Sequence, residues 1–266
     1  MSGTLEETEK VLFEREGKLA KVTLNRPEKL NAMDPEMFTA LSEAWIEIRD
    51  DPDVWAAIVT GSGERAFSAG ADLEETVTPG HEKWDEFWRT QEQLLLNRGL
   101  EVWKPIIAAV NGYCLGGGMT MVLATDIRIA GEDAKFGLTE VKRGILPGNG
   151  GTQRAVRQLP YPIAMELLLT GDHVGAGRAE KWGLVNEVVP PDETLSTAEA
   201  YAERILANGP LAVQAIKELA IRGTDLPLSE GIRLEQSFGR HLWMTEDAEE
   251  GVAAFREDRQ PEWKGR

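Results

Sequence analysis

The chain has 266 residues, 42% hydrophobic and 28% charged, enough to bury a large core either as one domain or as a core with a smaller appendage. A formal charge of −16 argues against general affinity for nucleic acid or an anionic membrane, while leaving room for an anionic small molecule held by a local patch of amides or cations. The single cysteine, Cys114, excludes an intrachain disulfide and a cysteine-based zinc cluster.

The first ten residues, MSGTLEETEK, are acidic and lack an apolar stretch, so neither a secretory nor a mitochondrial signal is visible; a cytoplasmic location is expected, with a processed matrix protein as the alternative. Val11 to Asn25 predicts a hairpin with its turn at Gly17-Lys18, ended by Arg26-Pro27. Asp34-Pro35 predicts a helix start, with an acidic N-cap and proline at the first helical position. Met37, Leu41, Ala44, Trp45 and Ile48 follow at helical spacing, so one face of that helix packs on a core. VWAAIVTG reads as a buried strand, and GSGERAFSAGADLEE as a loop carrying a short apolar element. A loop over 76–82 and helical character over 83–102 are expected next.

Pro105 to Ala130 is the stretch around which the rest is organised. Ile106 to Val110 is apolar, strand-like and too short to span a membrane. Asn111-Gly112 breaks it, and Gly116, Gly117 and Gly118 follow at the start of an apolar helix-like segment. Consecutive glycines let the backbone approach a ligand closely, and free N–H groups at a helix start suit a negatively charged oxygen. After Ala130 the chain is loop-rich to about residue 155, then helical, with a short strand at VNEVVP. Strands and helices interleave early and helices gather late, which predicts an α/β core over 1–195 and a helical region over 196–266.

Three glycine-rich loops carry the chemistry: SAGAD (Ser68 to Asp72), LGGGM (Leu115 to Met119) and FGLTEVKRGILPGNGGTQR (Phe136 to Arg154). In this order and spacing, with LNRPEKLNAMD before them and LTGDHVGAGRAEKWGLVNEVVP after them, they resemble the crotonase (enoyl-CoA hydratase/isomerase) family. The resemblance implies a spiral of ββα units with a C-terminal helical trimerisation region, assembled as a trimer or dimer of trimers. It implies acyl-CoA substrates, with coenzyme A as part of the substrate rather than a separate cofactor, and no metal. It places the two oxyanion-hole amides on Ala71 and Gly117, with Gly70 supplying the needed backbone freedom. It also places Ala69, Gly70, Asp72 and Leu73 beside the CoA moiety, with Lys29 and Arg26 as candidate phosphate or pantetheine neighbours.

Typical hydratases of the family use two glutamates. The one in the FGxxE loop corresponds to Glu140, whereas Thr120 stands where the other would be. The Thr120 hydroxyl can hold a water but cannot take up a proton at neutral pH, so Glu140 is left as the general acid and base. An apolar acyl pocket would raise its pKa. The resemblance therefore implies an enoyl-CoA hydratase-type lyase, with a double-bond isomerase or a hydroxycinnamoyl-CoA hydratase-lyase-like enzyme as alternatives. Lys142 and Arg143 replace the aromatic expected after the glutamate in the latter group, so aromatic specificity is not carried over. A non-catalytic acyl-CoA binder is the reading from a different class. A dinucleotide fold is disfavoured by Met121 at the third fingerprint position. His81, His173 and His241 are scattered without metal-ligand spacing.

Overall fold

The computed structural model describes residues 10–76 and 94–266. The expected loop over 77–82 and helix over 83–93, including Trp84 and Trp88, lie outside the described residues. The hairpin forms as expected: β1 (Val11–Glu16) and β2 (Leu19–Leu24) pair antiparallel, with Glu16 opposite Leu19 across the two-residue turn. Gly17 takes φ +58°, which a tight hairpin turn requires. Helix α1 (Pro35–Asp50) starts as predicted, with the Asp34 side chain accepting from the Met37 N–H.

The hairpin continues into a six-stranded sheet in the order β1-β2-β3-β5-β7-β10, where β3 is Ala56–Gly61, β5 Ile106–Val110, β7 Ile127–Gly131 and β10 Glu187–Val189. From β2 onward every pairing is parallel. All of β3 and β5 is buried, because both faces of a parallel sheet are covered. One face carries Ile58, Ile107, Ala109, Ile129 and Val189 against Ala198 and Ala202 of the helix Thr194–Leu206. The other faces the main core, into which α1 sends Met37, Leu41, Trp45 and Ile48.

A second sheet was not legible as strands. It has the order β4-β6-β8-β9, with β4 Ala66–Ser68, β6 Tyr113–Leu115, β8 Lys135–Gly137 and β9 Val174–Gly175. None exceeds three residues, too few for an alternating pattern to show in the sequence. Each of β3, β5 and β7 runs on into a strand of this second sheet after a short turn, giving ββ units that repeat along the chain. Asn111 braces one such turn, its amide donating to the Gly61 and Gly63 carbonyls at 2.7 and 2.6 Å.

The helical expectation fails over 94–102, where only a 3-10 turn, Leu96–Arg98, forms and Gly99 ends it in the left-handed region. The loop-rich stretch after Ala130 also holds an unexpected helix, Gly151–Gln158. The C-terminal helices run over Thr194–Leu206, Pro210–Gly223, Leu228–Leu242 and Glu246–Glu257. Lys217 ties the second of them to the core through Asp126 at 2.7 Å and the Lys104 carbonyl at 2.9 Å. Among the described residues no helix is long and apolar enough to cross a membrane.

Candidate active site

Three short neighbouring strands of one sheet decide where the site lies. β4, β6 and β8 run parallel, with Ser68 paired to Cys114 and Leu115 to Gly137, so their C-terminal ends stand side by side. The segments leaving those ends are Ala69–Asp72, Gly116–Met119 and Leu138–Glu140. Segments that begin at residues 69, 116 and 138 are thereby gathered at one sheet edge, where ligand sites of parallel sheets commonly lie.

The first loop is held by backbone bonding rather than by its own small side chains. Met33 N–H donates to the Gly70 carbonyl at 2.7 Å, and the Met33 carbonyl accepts from Asp72 N–H at 2.8 Å. This parallel bridge uses the groups on either side of Ala71. The Ala71 N–H is left on the opposite edge, toward Gly117. The two loops approach closely: a methyl at Gly70 would sit 2.9 Å from the Gly117 nitrogen, and one at Gly117 3.3 Å from the Ala71 nitrogen. Gly70 also has φ +97°, so no other residue fits there without strain. Neither the Ala71 nor the Gly117 N–H donates to another described residue. Ser68 locks the turn from below, its hydroxyl donating to Asn31 O at 2.7 Å and accepting from Gly70 N–H at 3.1 Å.

The helix after the glycines is only six residues long, Gly117–Val122. Its aggregate dipole is correspondingly small, and the individual amides matter more. Arg128, buried and held near its C-terminal end, donates to the Leu123 and Thr125 carbonyls at 3.3 and 3.0 Å. Burial pulls that guanidinium down to about 10, still protonated at neutral pH. Thr120 is buried, accepts from Asn97 Nδ2 at 3.0 Å and donates to the Gly117 carbonyl at 3.0 Å.

Glu140 lies in the first turn of a 3-10 segment, Thr139–Arg143, whose chain reverses at Gly144 with φ +72°. A methyl on Gly116 would lie 3.4 Å from its Oε1, which places the carboxyl against the glycine run. Its Oε2 is buried without a hydrogen-bond partner among the described residues. Burial raises its pKa above the usual carboxylate value, opposed by its own backbone N–H and by the charge of Arg143. A half-buried carboxyl whose enclosed oxygen lacks a partner is costly for folding alone and suits proton transfer.

The residues expected beside CoA divide. Ala69 donates its N–H to Leu30 O at 2.9 Å, and Leu73 is 40% exposed. Asp72 is buried, bonded to Arg26 Nη1 at 2.8 Å and capping the next turn through Glu74 N–H. Burial by itself would raise the Asp72 carboxyl, but Arg26 and the Glu74 amide outweigh it and hold it below the ordinary range. Arg26 is nearly enclosed and also reaches Glu75 at 2.9 Å and Asp34 at 3.4 Å. Its guanidinium is engaged by carboxylates, whereas Lys29 stays half-exposed near Glu74 at 3.7 Å. Asn31, at φ +53°, anchors the signature by accepting from Arg26 N–H and donating to the Ser62 and Ala66 carbonyls. Asn31, Ser68 and Asn97 carry no signal in the sequence that marks them as supports of the site. Their partners come from distant parts of the chain. Trp103 packs its ring beneath Arg222 at 5.0 Å. His173 meets Tyr113 edge-on at 6.2 Å, and His241 lies on the exposed side of the Leu228–Leu242 helix.

Residues 14–266 match the enoyl-CoA hydratase/isomerase family. The chain belongs to that family. It is 44% identical over 255 residues to (E)-benzylidenesuccinyl-CoA hydratase of Thauera aromatica, covering 96% of this chain and 99% of that one. Carnitinyl-CoA dehydratase of Salmonella enteritidis is 39% identical over 263 residues, covering 97% and 100%. Among solved structures, enoyl-CoA hydratase from Bacillus anthracis superposes with a TM-score of 0.89 at 35% identity, covering 97% of this chain and 100% of that chain. The fold expected from the motifs is thus the fold found, and an acyl-CoA enzyme of the hydratase/isomerase family is established at that level.

Proposed function

We propose that this chain adds water across the double bond of an enoyl-CoA thioester, or removes it in the reverse direction. The observation that carries the proposal is the buried, unpartnered Glu140 Oε2, beside a glycine run whose amide faces that of Ala71. Glu140 takes a proton from water as the water oxygen bonds to Cβ. The π electrons pass through Cα to the thioester oxygen, which the Ala71 and Gly117 N–H groups receive as an enolate. The enolate then collapses, and Cα takes the proton back from Glu140. Atoms and charge balance with one carboxyl acting in turn as base and acid. Each amide donor contributes about 3–4 kcal/mol to the charged state. Thr120 belongs to this machinery as a neutral group where a second carboxyl would otherwise stand.

The names of the relatives support hydration over isomerisation, and two of them denote substituted acyl groups. We therefore infer a substituted rather than a simple straight-chain substrate. Ala69, Gly70, Asp72 and Leu73 form the proposed CoA-side wall, with Lys29 as its available cation and Arg26 as the brace behind it. A cytoplasmic homo-trimer or dimer of trimers completes the reading. Its support is the apolar surface of the C-terminal helices, where Leu228, Trp243, Met244 and Phe255 are 72% exposed or more.

The test is turnover over a panel of straight-chain, branched, aryl and carboxylated 2-enoyl-CoA thioesters, with 3-enoyl-CoA included. Hydration of at least one 2-enoyl thioester, lowered about 10²–10⁴-fold by Glu140→Gln, is expected. Conversion of 3-enoyl-CoA without incorporation of solvent oxygen would favour the isomerase, which a single proton-carrying carboxyl also permits. Binding without any turnover would leave a non-catalytic acyl-CoA binder.

A further inference from the structure

Three glycines in succession give the site its close backbone approach, but they also give it the loosest backbone available. A donor that must meet an oxyanion has to be held in place before the charge appears. Nothing in residues 116–118 has a side chain to do this, so the restraint has to come from elsewhere. Backbone bonds hold Gly116, its N–H donating to Gly137 O and its carbonyl accepting from Thr120 N–H, both at 2.9 Å, and the hydrogen bonds around the Thr120 side chain act on Gly117 itself.

A threonine hydroxyl has one proton to give. Asn97 Nδ2 donates to the Thr120 oxygen at 3.0 Å, so the hydroxyl proton must point away from Asn97, and it points to the Gly117 carbonyl at 3.0 Å. Both side chains are enclosed, Asn97 at 5% exposure and Thr120 at 1%, so water does not compete freely for these bonds. Asn97 is fixed in turn. Its backbone carbonyl accepts from Arg154 Nη1 at 3.1 Å, and the same nitrogen donates to the Asn149 backbone carbonyl at 3.2 Å. Arg154 lies over Gly150, where a methyl would fall 2.0 Å from Nη1. The Thr120 methyl rests against Gly151, where a methyl would stand 2.9 Å away. The third glycine-rich loop is thus coupled through Asn97 to the first turn of the oxyanion helix.

We propose that Asn97 is a positioning residue: it sets the direction of the Thr120 hydroxyl and thereby clamps Gly117 so that its N–H stays aimed at the thioester oxygen. The inference rests on the enolate-stabilising reading above. It changes the part that Thr120 plays in it. With its only proton committed to Gly117, Thr120 transmits geometry and passes no proton to a reacting water.

Asn97→Asp tests this with almost no change of shape. The carboxylate it introduces cannot donate when ionised, so the Thr120 proton turns toward it and the Gly117 carbonyl loses the hydroxyl's bond while keeping its place in the helix. Protonating that carboxyl restores a donor and the original direction. Expected for hydration of the best panel substrate is a fall in kcat of about 10–100-fold above the new group's pKa, the size of a sub-ångström to ångström misplacement. KM should change little, and kcat should recover as pH falls, adding an ionisation that wild type lacks. Thr120→Val, which conserves shape, should lower kcat similarly without the pH-dependent recovery. The double variant should be no worse than Thr120→Val alone. Should Asn97→Asp fail to fold, Thr120→Val and Asn97→Leu carry the same kcat comparison.

Calorimetric binding of acetoacetyl-CoA, a β-keto thioester whose enolate presents the same charge, tests enolate stabilisation apart from the Asn97 clamp. Weaker binding by both variants than by wild type is expected. If wild type neither binds it nor turns over any panel member, the enolate reading itself is wrong. If wild type binds it or turns over and Asn97→Asp matches it in kcat, affinity and pH profile, the Asn97 clamp is wrong.

Discussion

Glu140→Gln should move activity and stability in opposite directions, because the same burial that suits the carboxyl to proton transfer is a cost to folding. Gln keeps the shape against Gly116 but can neither accept nor return a proton. Losing the general base and acid removes about 10²–10⁴-fold in kcat, equivalent to about 2.7–5.5 kcal/mol of transition-state stabilisation. For stability, the Glu140 pKa is raised in the folded state by burial. Between the unfolded value near pH ~4.3 and the raised folded value, the native chain binds more protons than the unfolded one. Wild-type stability therefore falls as pH rises through that window, and above it the full cost of the buried charge remains. The Gln variant has no such cost. Its melting temperature should exceed wild type at pH 8 by an amount worth on the order of 1 kcal/mol or less, since the residue is partly exposed. The difference should shrink as pH falls toward 4. Turnover of the panel and thermal unfolding from pH 4 to 8 measure both halves. A Gln variant with wild-type kcat, or a stability difference independent of pH, would refute the assignment of Glu140.

Gly70→Ala should cost about 1–3 kcal/mol in urea unfolding, because φ is +97° there and the new methyl would meet the Gly117 nitrogen at 2.9 Å. It should also reduce turnover by at least about 100-fold through displacement of the paired amides, and wild-type turnover would argue against them. Arg26→Met leaves Asp72 and Asp34 buried without that guanidinium, and should destabilise by about 3–5 kcal/mol at pH 7. Both carboxyls have folded pKa values below the ordinary range, so the stability they contribute is present above about pH 4 and lost as pH falls. The penalty of Arg26→Met should accordingly diminish in acid, and a pH-independent penalty would contradict the ion-pair account. Met244→Asp, at a side chain 84% exposed on the single chain, should lower the mass measured by light scattering if this face joins subunits. An unchanged oligomer would move the interface elsewhere.

The sequence alone determined the elements whose signals are local. The hairpin at Val11–Leu24, the capped start of α1 at Asp34-Pro35, the buried strands at Ala56–Gly61 and Ile106–Val110, and the late helices all follow from turn chemistry, capping and hydrophobic period. The motifs also identified the family, and with it Ala71, Gly117 and Glu140 as the residues to examine. Tertiary structure decided everything that depends on strands too short to show a period. β4, β6 and β8 are three residues each, yet their parallel pairing is what brings the three loops to one edge. It also decided the state of each side chain there. Arg26 looked available for an anionic ligand but is engaged by Asp72 and Glu75, and Thr120 looked like a water site but is bonded to Asn97 and Gly117. Residue type limits which bonds a side chain can make, whereas only the packed chain determines which partner arrives first. That distinction separates a family signature, readable in Leu115 to Met119, from the clamp that holds its central glycine.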